Sequence, residues 1–286
     1  MTIQITAIAR NTFTELVRQK VFYIILVFAL CAIGSSALMA RLTFQEEFQM
    51  LKDVCLGAMS IFTSLLAILA TANFLPKDLE ERTIYSLLSK PVPRFVYLLG
   101  KLAGIILLLL LFTLLMSAVF CLVLWLRERS VLVETRAQFA NGPSEELTAA
   151  LKAITDATFN INLLPGILVI FVKSALLASL TLLISTFATS SLFTVMIAAA
   201  VYFIGHLQST AREYWLQGVE IKWWTRVVVG LVALLFPDLQ SFNLADAVIA
   251  GASIPPGIFL ETFALGWLYV AVYFAVAAFI FAEREL

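Results

Sequence analysis

The sequence predicts an all-α integral membrane protein. Its expected parts are six transmembrane helices, an N-terminal interfacial helix, a helix in a cytoplasmic loop and a small extracytoplasmic helical segment. Three observations carry this. First, 62% of the 286 residues are hydrophobic and 13% are charged, with a mean hydropathy of +0.98. Soluble domains are about 45–50% apolar and about 25% charged. A soluble core of this chain length could not hide so much apolar surface, so the surrounding solvent is lipid. Second, apolar runs of span length lie at 21–40, 54–75, 102–126, 164–187, 191–208 and 258–281. Third, what separates them is polar, charged or amphipathic, above all the charged stretch at 76–101.

In chain order, residues 2–20 read as an amphipathic interfacial helix, with a soluble helix packed on the protein as the alternative. Ile5, Ile8, Thr12, Phe13, Leu16 and Val17 recur at helical spacing, and Gln4, Arg10, Asn11, Glu15, Arg18 and Gln19 cover the other side. The polar start and the span-length run after it do not fit a cleavable signal peptide, so this segment is expected to be retained. A short loop precedes the second span, whose exit is marked by Asn73 and Pro76. The third span, 102–126, is nearly pure Leu, Ile, Val and Phe. Segment 127–163 is expected outside the membrane. It holds a small helix for which Ser144 is a plausible N-cap, with Leu147, Ala150, Leu151 and Ile154 as its stripe.

The fourth and fifth spans are separated by almost no loop and read as a helical hairpin. Segment 209–257 is expected outside, with 223–236 too short to span at about 20 residues per crossing. That run carries Arg226 and reads as re-entrant or interfacial. Six spans put both termini on one side. The density of Arg10, Arg18, Lys20, Lys77, Arg82, Lys90, Arg94 and Lys101 favours the cytoplasmic side for both. If 223–236 crosses, the C-terminus moves outside.

Net charge is zero, from 19 basic and 19 acidic residues, which leaves no basic face for nucleic acid. Cys31, Cys55 and Cys121 form neither a C-x-x-C pair nor a disulfide framework and read as small buried hydrophobes. A single histidine excludes HExxH and His-rich metal sites. There is no G-x-S-x-G, no S-x-x-K and no G-x-x-x-x-G-K-[ST]. The chain is therefore expected not to be an enzyme and to use no cofactor or metal. If ATP is used, a partner hydrolyses it.

The loop 76–101, PKDLEERTIYSLLSKPVPRFVYLLGK, is the most informative stretch. Leu79, Thr83, Ile84, Leu87 and Leu88 form one face of a helix of about three turns, with Asp78, Glu80, Glu81 and Arg82 on the other. The acidic residues lie in its first turn, where the helix dipole favours them. Pro91 and Pro93 stop the helix, because each lacks an N–H and restrains its predecessor. A short, capped helix joined to spans at both ends can transmit a push. A solvated connector is the plainer alternative.

The stretch 80–101 resembles the cytoplasmic loop of ABC-2-type transporter permeases, where a pattern like E-x-x-x-x-T-[IL]-x-x-L-L-[ST]-x-P-[VI]-x-R-x-x-[FY]-[LI]-x-G-K follows the second span. Just upstream, Asn73, Leu75, Pro76 and Lys77 depart from the glycine and continuous helix more common there. Supporting likenesses are the N-terminal segment with Glu15 and Arg18; Ser185, Thr186 and Phe187; Gly205 and His206; Phe236, Pro237 and Asp238 through Phe242 and Asn243; and Phe281 to Arg284. The nearest subgroup looks like permeases grouped with those for maturation of copper enzymes such as nitrous oxide reductase.

The resemblance implies a multi-pass protein of the cytoplasmic (inner) membrane that moves an unidentified substrate outward. Two permeases, identical or related, pair with two ATP-binding cassette ATPase subunits. The coupling helix and the N-terminal helix dock on the ATPase. Carried over, the docking residues are Asp78, Leu79, Glu80, Glu81, Arg82, Ile84, Tyr85 and Leu88, with Glu80, Arg82 and Tyr85 foremost. A secondary transporter or channel would call for several paired intramembrane charges or helices broken at midplane. A non-transporting assembly factor is a further alternative, and co-purification with a P-loop ATPase separates the first reading from both.

Two embedded polar residues stand out. Lys173 lies near the middle of the fourth span, and a membrane-embedded charge is a candidate for a substrate path, against snorkelling or assembly pairing. His206, near the outer end of the fifth span, fits a hydrogen-bonded packing residue. Trp215, Trp223, Trp224 and Trp267 are expected to anchor at interfaces.

Overall fold

A computed structural model describes residues 2–40, 47–74, 76, 93–138, 144–160, 162–188, 190–216, 224, 236–244, 248–249 and 254–283. Within them the chain forms eight helices: α1 Thr2–Arg18, α2 Lys20–Ala40, α3 Glu47–Ala72, α4 Arg94–Gln138, α5 Ser144–Thr158, α6 Leu163–Phe187, α7 Ser191–Leu216 and α8 Pro256–Glu283. The all-α membrane architecture is as expected. Five helices are long and apolar enough to cross a bilayer, and the count reaches six if the bent pair α1 and α2 forms one span.

α6 is the core helix. Of the apolar stretch it carries, 83% is buried, against 22% for α7 and 28% for α8. It packs against α3, α4, α7 and α8. Its composition explains why it can. Between helices in lipid there is little hydrophobic driving force, so small residues that permit close approach carry association. Ala175, Ala178, Ser174, Ser179 and Thr181 lie fully buried along it. Each of these hydroxyls donates back to a carbonyl of its own helix: Ser174 to Phe171, Ser179 to Leu176 and Thr181 to Leu177. No polar group among these three is left bare in the core. α8 closes on α6 at Gly266, where a Cβ would fall 2.2 Å from Val172.

The outer helices show the complementary pattern. Tyr23, Ile24, Val27 and Phe28 on α2, Leu192 and Met196 on α7, and Leu260, Leu268 and Phe279 on α8 are exposed. In lipid such faces need no cover. α6 and α7 form the expected hairpin. Ser190 caps α7, its Oγ accepting the Phe193 N–H at 3.3 Å.

Several helices run past the expected span limits. α3 starts at Glu47, within the stretch read as a loop. α4 continues without a break to Gln138, into a segment read as extramembrane. The stretch 127–138 holds no Gly or Pro to stop it, and Arg127, buried at the α3 interface, donates to Glu47 at 2.8 Å and 3.2 Å. α7 likewise runs to Leu216. α5 forms where a small helix was expected, and Lys52 holds its last turn by donating to the Ala157 carbonyl at 2.7 Å. The run 223–236 lies outside the described residues apart from Trp224 and Phe236.

Two smaller expectations change. Cys55 is buried and lies 3.3 Å from the Ser36 hydroxyl, whereas Cys31 and Cys121 are exposed on the bundle surface. Trp267 is half-buried and packs edge-on against Phe171 and Phe263, so it braces the α6–α8 contact.

Candidate functional site

Two places in the fold gather unusual chemistry. The first is where the chain leaves and returns around the loop 76–101. The docking residues Asp78, Leu79, Glu80, Glu81, Arg82, Ile84, Tyr85 and Leu88 lie outside the described residues. The ends of the loop are described, and both are fastened.

On the exit side, Phe74 is buried. Lys101, on the return side, places its Nζ 4.4 Å from the centre of the Phe74 ring and 5.6 Å from that of Tyr97. Lys101 is itself buried, and a desolvated cation over an aromatic face contributes about 2 kcal/mol. This contact closes the loop across its own base.

The return helix is held on two further sides. Arg94, in the first turn of α4, donates through Nη1 to the carbonyls of Phe281 at 3.2 Å and Ala282 at 2.9 Å. These are among the last carbonyls of α8, which have no partner within their own helix. Tyr97 stacks on Phe281, and Phe95 meets Phe274 edge-on. On the other side α1 lies against α4. A Cβ on Gly100 would fall 2.7 Å from Ile8, and one on Gly104 would fall 2.7 Å from the Ala9 carbonyl. Only glycine at both positions, one helical turn apart, lets the backbones come this close.

α1 buries Ala9, Thr12 and Leu16 in this contact and keeps Arg10, Asn11 and Arg18 exposed. It joins α2 at a 63° bend. The bend needs no Pro or Gly. Tight backbone bonds from Gln19 N–H to Leu16 and from Phe22 N–H to Gln19, both 3.1 Å, turn the chain.

The second place is a cavity of about 520 Å³ towards the opposite end of the bundle. It lies among α3, α6, α7 and the segment 236–244. Lys173 is at its inner end, 3% exposed. Its Nζ donates to Ser60 Oγ at 3.2 Å and meets His206 Nε2 at 3.0 Å. His206 Nδ1 lies 2.9 Å from the Tyr202 carbonyl. A carbonyl only accepts, so Nδ1 carries the ring proton, and Nε2 is left to accept from the lysine. The pair therefore holds one positive charge.

Lys173 and His206, read separately in the sequence, form one unit in the fold. Among the described residues no carboxylate lies within salt-bridge distance of Lys173. The acids nearby are Asp53, exposed at the cavity rim, and Asp238, whose charge acts on His206.

Magnitudes make this lysine costly. A lysine at the centre of a spanning helix costs about 2.5–3.5 kcal/mol on insertion scales. Hydrogen bonds between membrane helices return about 0.6 kcal/mol each on average. Two neutral partners do not offset the charge.

Gly205, behind the lining residues Tyr202, Phe203 and His206, fastens α7 to the segment 236–244. A Cβ there would fall 2.7 Å from Leu239 and 3.0 Å from the Pro237 carbonyl, and Leu239 N–H donates to the Gly205 carbonyl at 3.0 Å. The stretches around Gly205 and Pro237, thirty-odd residues apart in the chain, are thus one packed unit. Among the described residues no cluster of His, Cys, Asp and Glu is able to hold a metal ion.

The sequence pattern that defines the ABC-2 family transporter proteins matches residues 6–286. The chain belongs to that family. No curated protein matches the chain significantly. As an ABC-2 family protein with five to six candidate spans, it is a multi-pass membrane permease of an ABC transporter. Permeases of this family are typically the non-catalytic membrane subunits, and they work with an ATPase subunit. The Gly100 and Gly104 pair was visible in the sequence as two glycines four residues apart. It acquires meaning only with α1 lying across it.

Proposed function

We propose that this chain is the transmembrane subunit of an ABC exporter in the cytoplasmic membrane, with both termini in the cytoplasm. Two separate ATP-binding cassette subunits drive it, and a second permease, identical or related, completes the membrane part. The coupling helix at 78–88 docks on the ATPase through Asp78, Glu80, Glu81, Arg82 and Tyr85, with Leu79, Ile84 and Leu88 as its apolar face. Lys173 faces the substrate path.

One observation supports this reading above the others. Both ends of the 76–101 loop are locked to the rest of the fold, by Lys101 on Phe74, by Arg94 on the end of α8, and by α1 seated on Gly100 and Gly104. A connector does not need such fastening. A lever does, because a push on a loose loop is absorbed before it reaches the spans. Closure of the ATPase pair would then move α3, α4, α1 and α8 together.

The test is co-purification. The full-length chain, tagged and extracted in mild detergent from its own cells, should bring down a P-loop ATPase in near-equal amount. Recovery of the intact permease with no ATPase, under conditions that preserve other ABC complexes, contradicts the reading.

A further inference from the structure

The cavity around Lys173 has a chemistry that the permease reading does not specify. Its inner end carries one buried positive charge with no carboxylate partner among the described residues. An ammonium has three N–H donors. Two are engaged, by Ser60 and His206, and the third is unassigned. Ser60 accepts from the lysine, so its own O–H is left to donate.

Two donors and one net positive charge thus meet at one end of a cavity of about 520 Å³, inside the range of about 300–1,000 Å³ typical of ligand sites. The walls are different. Leu56, Ile170 and Phe242 are buried and apolar, and Ile61 and Phe203 are 58% and 64% exposed on the outer, lipid-facing side. The cavity is therefore polar at one end and apolar along a side that opens to the acyl region. Asp53 at the rim disfavours a second negative charge on anything that enters from that end.

We propose that this cavity binds an amphiphilic anion: one carboxylate or phosphate group on Lys173 and Ser60, with its acyl chain along Ile61 and Phe203. That the bound anion is the transported cargo rests on the permease reading, whereas the binding itself does not.

The experiment measures equilibrium binding of tritiated oleate and of short-chain phosphatidylglycerol to the purified full-length chain in neutral detergent, without ATP or ATPase. Short-chain diacylglycerol serves as the uncharged control, and inorganic phosphate and acetate as competitors. Lys173→Met should weaken both anionic amphiphiles about tenfold or more, as expected for loss of a buried charge-assisted bond, and leave diacylglycerol unchanged. Lys173→Arg should stay within about threefold of the natural chain, since the charge remains. Ser60→Ala should cost about tenfold, from one hydroxyl bond to the anion.

Equal binding of the anions to the natural chain and to Lys173→Met overturns the proposal. So does displacement of oleate by millimolar inorganic phosphate or acetate, which marks a small-anion site. If Lys173→Met does not fold, Ser60→Ala decides, and unchanged anion binding in it overturns the proposal. Failure here leaves the association with an ATPase intact, and failure of that association leaves this binding intact.

Discussion

The two ends of the bundle are built on opposite rules. Around the 76–101 loop the two described charges, Arg94 and Lys101, are both matched. Lys101 lies on aromatic rings, Arg94 on helix-terminal carbonyls, and glycines bring α1 into backbone contact with α4. At the Lys173 cavity a buried charge is held by neutral partners, beside an open space of about 520 Å³. The first arrangement suits a part that must transmit force without deforming. The second suits a part that must take something in. The difference teaches where to look for each job in a bundle whose composition is otherwise uniform: close-packed contacts for transmitting force, and a buried charge without a counter-ion among the described residues for holding a ligand.

Three substitutions probe the loop end, in decreasing order of effect. Gly104→Val pushes a branched side chain into the Ala9 carbonyl and Thr12. Overpacking of this kind costs about 1–3 kcal/mol. It should lower the thermal midpoint in detergent and abolish ATP-driven transport, while anion binding at the Lys173 cavity survives. Loss of both functions together would mean that the two ends are not separate units.

Arg94→Ala removes two charge-assisted bonds to the end of α8. The site is half-buried, so about 1 kcal/mol is expected, read as a modest fall in thermal midpoint. The clearer readout is a disulfide pair across α4 and α8, which should cross-link more slowly in the variant.

Thr12→Val should do least. The Thr12 hydroxyl is buried against α4 without a hydrogen-bond partner. Replacing an unpaired polar atom by a methyl of similar shape is neutral to slightly stabilising. An unchanged or raised midpoint supports a contact made by shape. A fall of several degrees would show that the hydroxyl matters.

The class of the fold was legible because composition and run length report on the solvent, and lipid leaves little else for an apolar run of twenty residues to do. The loop stood out because its prolines, acidic first turn and terminal Gly100 and Lys101 are local signals, and of it only the two ends lie within the described residues. Helix ends were less so. The charges from Arg127 onward mark the end of the apolar run but nothing in 127–138 breaks a helix, so α4 continues, held by Arg127 on Glu47. The cavity could not be read at all. Ser60, Lys173 and His206 come from three helices, and the wall at Gln240 and Phe242 needs a segment with no periodic pattern of its own. Lys173 could be singled out as an embedded charge. Its partnership with His206, 33 residues away, exists only in three dimensions.

The most direct measurement uses the permease and its ATPase reconstituted together in proteoliposomes, with residues 78–88 deleted from the permease. Surface accessibility of labelled sites establishes that the deleted chain still inserts with its spans in place. The account predicts that ATP hydrolysis then proceeds without any ATP-dependent movement between α4 and α8, and that transport is lost. Coupled transport at the normal rate in the deleted protein would contradict it.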